Sequence, residues 1–187
     1  MTSLTQEQRK WLDKCTTIDG IKGRWTLNSK TGLVDVEGDF NCSGTIDNCS
    51  KQGLSDFKGV KFGVVGGYFC CANNRLTSLV GAPQSVGEKS KGHRACNGYF
   101  FCSYNQLISL EGAPQKVKGH FYCDYNPVSS KTLKTMFSKM NKGDSFWVAA
   151  TSLKNKMSKK NWKLIASNIP EAIQPGVNML ARFGVFK

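Results

Sequence analysis

The stretch GYFFCSYNQLISLEGAPQKVKGHFYCDYN, residues 98–126, opens and closes on nearly the same phrase. Gly98, Phe100 and Cys102 return as Gly119, Phe121 and Cys123, and the same Gly-x-Phe-x-Cys spacing stands earlier at Gly38, Phe40, Cys42 and at Gly67, Phe69, Cys71. Internal self-similarity outranks local signals, because each copy is one structural unit that must bury its apolar side against its neighbours. The limb after each phrase recurs as well. Leu54, Phe57, Gly59 and Val64 align with Leu76, Leu79, Gly81 and Val86, then with Leu107, Leu110, Gly112 and Val117.

Each Phe-x-Cys is expected to be a three-residue strand whose alternation turns Phe and Cys inward and the letters between them outward. Asn74, Asn105 and Asn126 then turn the chain away, while the first repeat has Gln52 in that slot after an insert, GTIDNCSK, at 44–51. The spacing Phe100-x-Cys102-x-x-Asn105-x-Leu107-x-x-Leu110 is that of a leucine-rich repeat with Phe and Cys in the first two leucine slots. Over residues 33–128 the chain resembles that family, and more closely the short arrays of the type F-x-C-x-x-N-x-L-x-S-L-E-G-A-P found in uncharacterised bacteriophage and bacterial proteins. The resemblance implies a recognition scaffold without an activity of its own, and asparagine amides that bond the backbone of neighbouring turns.

The expected fold is therefore an α/β-type repeat solenoid, a leucine-rich-repeat-like coil of about four short parallel strands. Such an array cannot seal its own ends. Residues 1–32 are expected to form an N-terminal cap, with a helix over SLTQEQRKWLDK at 3–14, Ser3 or Thr5 as N-cap, and Leu4, Trp11 and Leu12 on its apolar side. Residues 129–187 are expected to form a basic, mainly helical C-terminal cap, begun by Leu133, Met136, Phe137 and Met140 at helical spacing.

The repeat period is 21 residues from Gly98 to Gly119 but 31 from Gly67 to Gly98. The excess falls in GEKSKGHRACN, 87–97, a loop bearing Lys89, Lys91, His93 and Arg94 beside the third strand. Loops on a rigid scaffold often carry function.

The outward letters are Asp39 and Asn41, Tyr68 and Cys70, Tyr99 and Phe101, then His120 and Tyr122. Neighbouring strands lie about 4.8 Å apart. Tyr68, Tyr99 and His120 are thus expected to form one ladder and Phe101 and Tyr122 another on a concave face, with Tyr104 and Tyr125 at its edge. If the four tyrosine and phenylalanine rings each lost about 150 Å², the total would approach one side of a standard interface. The candidate partner-binding set is Tyr68, Tyr99, Phe101, His120 and Tyr122 with Lys89, Lys91 and Arg94.

The charge suggests a second reading. The chain has 187 residues and a net charge of +13, and residues 129–187 hold 11 Lys/Arg against 2 Asp/Glu. Lys131, Lys134, Lys139 and Lys142, then Lys154, Lys156, Lys159, Lys160 and Lys163, are interleaved with Trp147 and Trp162, and the last five lysines are the candidate for nucleic-acid association. No complete C2H2 or RRM signature accompanies it, so any affinity there is expected to be non-specific. Catalysis would need His93 or His120 within reach of a cysteine or carboxylate, which no motif provides. The eight cysteines lack a close zinc-ligand spacing and fall partly on repeat positions, so reduced thiols, no metal and no cofactor are expected. With no apolar run of membrane-spanning length and no signal-peptide core at the start, a cytoplasmic setting is expected, in the host cell or associated with a virion if the chain is phage-encoded. The expected function is non-enzymatic recognition of a host or phage protein; nucleic-acid association is the alternative.

Overall fold

A computed structural model of the chain describes residues 3–18, 21–44, 53–87, 98–123 and 125–128. The expected C-terminal helices over 129–187 lie outside the described residues, as do Lys89, Lys91, His93 and Arg94.

One helix, α1 (Gln6–Cys15), begins the described chain. Thr5 is its N-cap: the Thr5 hydroxyl accepts from Gln8 N at 3.2 Å, and Gln8 Oε1 accepts from Thr5 N at 2.8 Å. This reciprocal pair satisfies two amides that no helical turn can reach. The helix buries Trp11, Leu12 and Cys15. Trp11 packs edge-on against Phe40 at 5.3 Å and Phe62 at 6.2 Å. Lys58 fastens the first turn of the helix, with its carbonyl accepting from Gln8 Nε2 and its ammonium 2.8 Å from Glu7.

After α1 come β1 (Thr16–Ile18), β2 (Ile21–Lys22), β3 (Trp25–Leu27), β4 (Val34–Val36), β5 (Asp39–Asn41), β6 (Phe62–Val65), β7 (Phe69–Cys70), β8 (Ser85–Val86), β9 (Phe100–Phe101), β10 (Lys116–Val117) and β11 (Phe121–Tyr122). They form two sheets, ordered β11-β9-β7-β5-β1-β2 and β10-β8-β6-β4-β3. From β4 onward consecutive strands come in pairs, one member in each sheet, and like members pair in parallel from one rung to the next. Antiparallel strands β1 and β3 close the start of the two ladders against β5 and β4. The architecture is thus α/β-like, with two mixed and mostly parallel sheets.

The repeated phrase builds the first sheet. Phe40, Phe69, Phe100 and Phe121 are fully buried, and their rings stack in succession at 5.3, 5.4 and 5.0 Å. Cys42, Cys71, Cys102 and Cys123 lie buried beside them, none of them in a disulfide among the described residues. Parallel register places identical side chains over one another, so one residue type that fits a rung fits them all. Leu76, Leu79, Leu107 and Leu110 fill the returning limbs.

The second sheet departs from the sequence expectation of one strand per repeat. Its members are two to four residues long, and the register places Val65 rather than Val64 opposite Val86. An irregularity between Val34/Phe62 and Val36/Val65 inserts one residue. Val65 is therefore the buried partner while Val64 is half-buried.

Asn74, Asn105 and Asn126 perform the same operation on successive rungs. Asn105 Nδ2 donates to the carbonyls of Cys71 and Cys102 at 2.9 and 3.0 Å, and its Oδ1 accepts from Leu76 N at 3.0 Å. Asn74 spans Cys42, Cys71 and Leu54 in the same way, and Asn126 spans Cys102, Cys123 and Leu107. All three are buried. A buried amide is stable only when its donors and acceptor are used, and a corner that faces two rungs at once uses them fully.

Candidate functional site

The outward face of the first sheet carries rings in three columns. Tyr68, Tyr99 and His120 stand just before β7, β9 and β11; their carbonyls accept from Phe40, Phe69 and Phe100 N at 2.8–2.9 Å. Cys70, Phe101 and Tyr122 are the second residues of those strands, and their carbonyls accept from Cys42, Cys71 and Cys102 N at 2.8 Å. Asn73, Tyr104 and Tyr125 follow, one residue before each corner asparagine. The backbone under the first two columns is thus fixed by the ladder itself.

The third and fourth rungs match ring for ring. Tyr99 and His120 lie 4.7 Å apart at 35°. Phe101 and Tyr122 lie 4.9 Å apart at 7°, and Tyr104 and Tyr125 lie 4.1 Å apart at 11°. Edge contacts join the first two columns, Tyr99 to Phe101 at 5.8 Å and His120 to Tyr122 at 6.0 Å. Tyr68 reaches diagonally to Phe101 at 6.3 Å. The structure thus brings together Tyr68, Tyr99, Phe101, His120 and Tyr122 in one cluster.

These five side chains are half-buried, not exposed. Neighbouring rings shield one another's faces, so an estimate of about 150 Å² per ring is too large for what a partner can cover. Burial pulls the His120 pKa below its ordinary 6.5, which keeps the ring neutral at pH 7. The most exposed rings are Tyr104 and Tyr125, at 50% and 48%. Both have left-handed backbone, φ 56° and 55°, as Asn73 does at φ 57°. Sequence reasoning placed the pair at the edge but had no signal for that conformation, since bulky residues rarely adopt it.

At the first rung the outward letters do other work. The Asp39 carboxylate accepts from Tyr68 N at 2.9 Å, and Asn41 Oδ1 accepts from Ser43 N at 3.0 Å. Asp35 does for Val64 N, at 2.7 Å, what Asp39 does for Tyr68. A Cβ on Gly67 would run into Asp39 Oδ1, so the carboxylate occupies the space that glycine leaves.

Cys70 is half-buried on the outward face and Cys71 fully buried on the inward one, as alternation requires. Burial raises both thiols, Cys71 far above the ordinary 9.0. Neither is poised as a nucleophile. Among the described residues no group of three or more His, Cys, Asp or Glu is placed to hold a metal ion, and no helix is long and apolar enough to cross a membrane.

The loop at 87–97 leaves and returns at one point. Gly87 (φ 91°) and Gly98 (φ 78°) are in such close contact that a Cβ on Gly98 would lie 2.9 Å from Gly87 Cα. The same Cβ would sit 2.9 Å from Cβ of Lys118, an exposed cation at the margin of the ring cluster. Lys154, Lys156, Lys159, Lys160 and Lys163 fall outside the described residues. No family model, no curated protein and no solved structure matches the chain.

Proposed function

We propose that the chain is a leucine-rich-repeat-like solenoid, helically capped at its start, that works as a non-enzymatic recognition protein. It holds a macromolecular partner against the ring cluster of Tyr68, Tyr99, Phe101, His120 and Tyr122. The observation that carries this reading is the ring-for-ring match of the third and fourth rungs, with centroids 4.7, 4.9 and 4.1 Å apart. Rings already ordered by their neighbours lose little rotamer freedom on binding, which is the advantage of tyrosine-rich binding surfaces. The insert at 87–97, whose ends Gly87 and Gly98 meet beside Tyr99, would extend the contact. The resemblance to phage-type arrays makes a host or phage protein the expected partner.

The test is affinity capture from host lysate, with and without nuclease, using the wild-type chain and a Tyr99→Ala, Phe101→Ala variant. The variant is expected to stay folded and lose the partner, while charge reversal at Lys159 and Lys160 leaves it bound. Loss of the partner only in the lysine variant, or only after nuclease, would instead move the function to nucleic-acid association by the basic C-terminal region.

A further inference from the structure

Among the described residues the two ladders end at β11 and β10. Each rung of the first ladder hands its amides to the next. Phe69 N and Cys71 N donate to Tyr99 O and Phe101 O, and Phe100 N and Cys102 N donate to His120 O and Tyr122 O, all at 2.8 Å. The same geometry aims Phe121 N and Cys123 N at the place of a fifth rung, where a buried strand edge requires carbonyl acceptors. The apolar side makes the same demand. Phe69 and Phe100 have rings stacked on both faces, and Phe121, stacked on Phe100, is as fully buried as they are, with Cys123 and Val117 buried on the same rung.

The sequence holds a segment that meets both demands. The steps between the core phenylalanines are 29, 31 and 21 residues, and 25 residues after Phe121 stands Phe146. Phe146, Val148, Thr151 and Leu153 repeat the spacing of Phe100, Cys102, Asn105 and Leu107, with the glycine one place early at Gly143. Phe-Trp-Val is a strand-forming run, and Gly-Asp-Ser before it is a turn signal. A helix over the same residues would spend its carbonyls on its own turns and leave none for the amides of β11.

We infer that residues 146–153 dock on the outer edge of β11 as a fifth rung, Phe146 over Phe121 and Val148 over Cys123, and that Trp147 thereby follows Phe101 and Tyr122 as the next ring of the second column. The carbonyls of Ser145 and Trp147 accept from Phe121 N and Cys123 N. Thr151 takes the corner place, its hydroxyl accepting from Val128 N as Asn126 Oδ1 accepts from Leu107 N. Ser145 and Ala150 fall in the other two columns, which leaves Trp147 as the one ring of this rung. The recognition face then ends on a tryptophan, a residue type enriched where binding energy concentrates. That role deepens the recognition reading above and rests on it; the rung does not.

The experiment is NMR on the full-length chain with labelled aromatic rings. Nuclear Overhauser contacts are expected between Phe146 and Phe121 and between Trp147 and Tyr122, with extended chemical shifts over 146–148. Contacts from Phe121 to Leu133, Met136 or Phe137 in place of Phe146, or helical shifts over 146–153, would overturn the rung. So would contacts found only between differently labelled chains, which would make the cover a second copy. Phe146→Ala should lower the thermal midpoint by about 5 °C or more, as for a core ring, and Trp147→Ala by less than about 2 °C, as for an outward one. The reverse order would overturn the register. For the role of Trp147, peptides selected on the wild-type chain from a random twelve-residue display library are measured by fluorescence anisotropy, and Trp147→Ala should weaken them about tenfold or more. Peptides that need Tyr99 and Phe101 yet bind the Trp147 variant like the wild type would take Trp147 off the face and leave the face standing. Recovery of no peptide would overturn the face and that role together, while the ring contacts still decide the rung.

Discussion

Asn105 and Cys71 belong to different rungs, yet Asn105 Nδ2 donates to Cys71 O at 2.9 Å and so ties one turn of the chain to the one before. The same amide serves its own rung at Cys102 O and the preceding limb at Leu76 N. Asn105→Leu would leave that buried amide hydrogen and those carbonyls without the side-chain partner they now have. With about 1–3 kcal/mol for each buried group so stranded, the variant should lose about 3 kcal/mol or more in urea unfolding. A loss below about 1 kcal/mol would show that the amide is not a structural tie.

Phe100 lies between Phe69 and Phe121 in the continuous stack of core rings. Phe100→Ala removes the middle of that column and leaves a cavity, so calorimetry should register a loss of about 3 to 5 kcal/mol. Unchanged thermal stability would refute the inward register of the repeat.

Gly67 and Asp39 are expected to be energetically coupled, because an added Cβ at 67 competes with the Asp39 carboxylate for one space over Tyr68 N. Gly67→Ala should destabilise the chain by about 1–3 kcal/mol, within the range for overpacking. In a double-mutant cycle with Asp39→Ala, the second change should cost less than it does alone. Strict additivity of the two would rule out the shared space.

The thiol of Cys71 is held protonated by burial, so its folded pKa stands far above the ordinary 9.0. Below that value both folded and unfolded states keep the proton and the group exerts no pH dependence. Above it the unfolded chain releases a proton that the folded chain retains. Stability should therefore fall as pH rises past about 9, by up to about 1.4 kcal/mol per pH unit for each such thiol. Chemical denaturation between pH 7 and 10 should show this slope, and Cys71→Ala should reduce it. An identical slope in the variant would assign the effect elsewhere.

The first sheet was legible because Phe, Cys and Asn recur at constant spacing, and the asparagines do bond their neighbouring turns. The second sheet was not. Ser85–Val86 and Lys116–Val117 are two-residue strands, too short for alternation to register, and the extra residue between Phe62 and Val65 shifts the valine alignment by one. At α1 the cap was narrowed from two candidates to Thr5 by its partner Gln8, and Cys15 joined the buried side unforeseen. For the ring cluster, the members could be read from the outward letters. Their half-burial could not, because it comes from rings on adjacent rungs covering each other. The left-handed backbone at Tyr104 and Tyr125 also left no mark in composition, since tyrosine is among the residues one would least assign to it.

The contact between Gly87 and Gly98 has a consequence for how this chain can vary. Val65 O accepts from Gly87 N, and Gly98 O accepts from Gly119 N, at 2.8 and 3.0 Å, so both glycines carry bonds that continue the stack. The junction behaves as a doorway whose frame is part of the wall. Segments of different length or composition can hang from it while the rungs on either side keep their places, and a foreign sequence spliced there would be displayed beside Tyr99 without rewriting the scaffold.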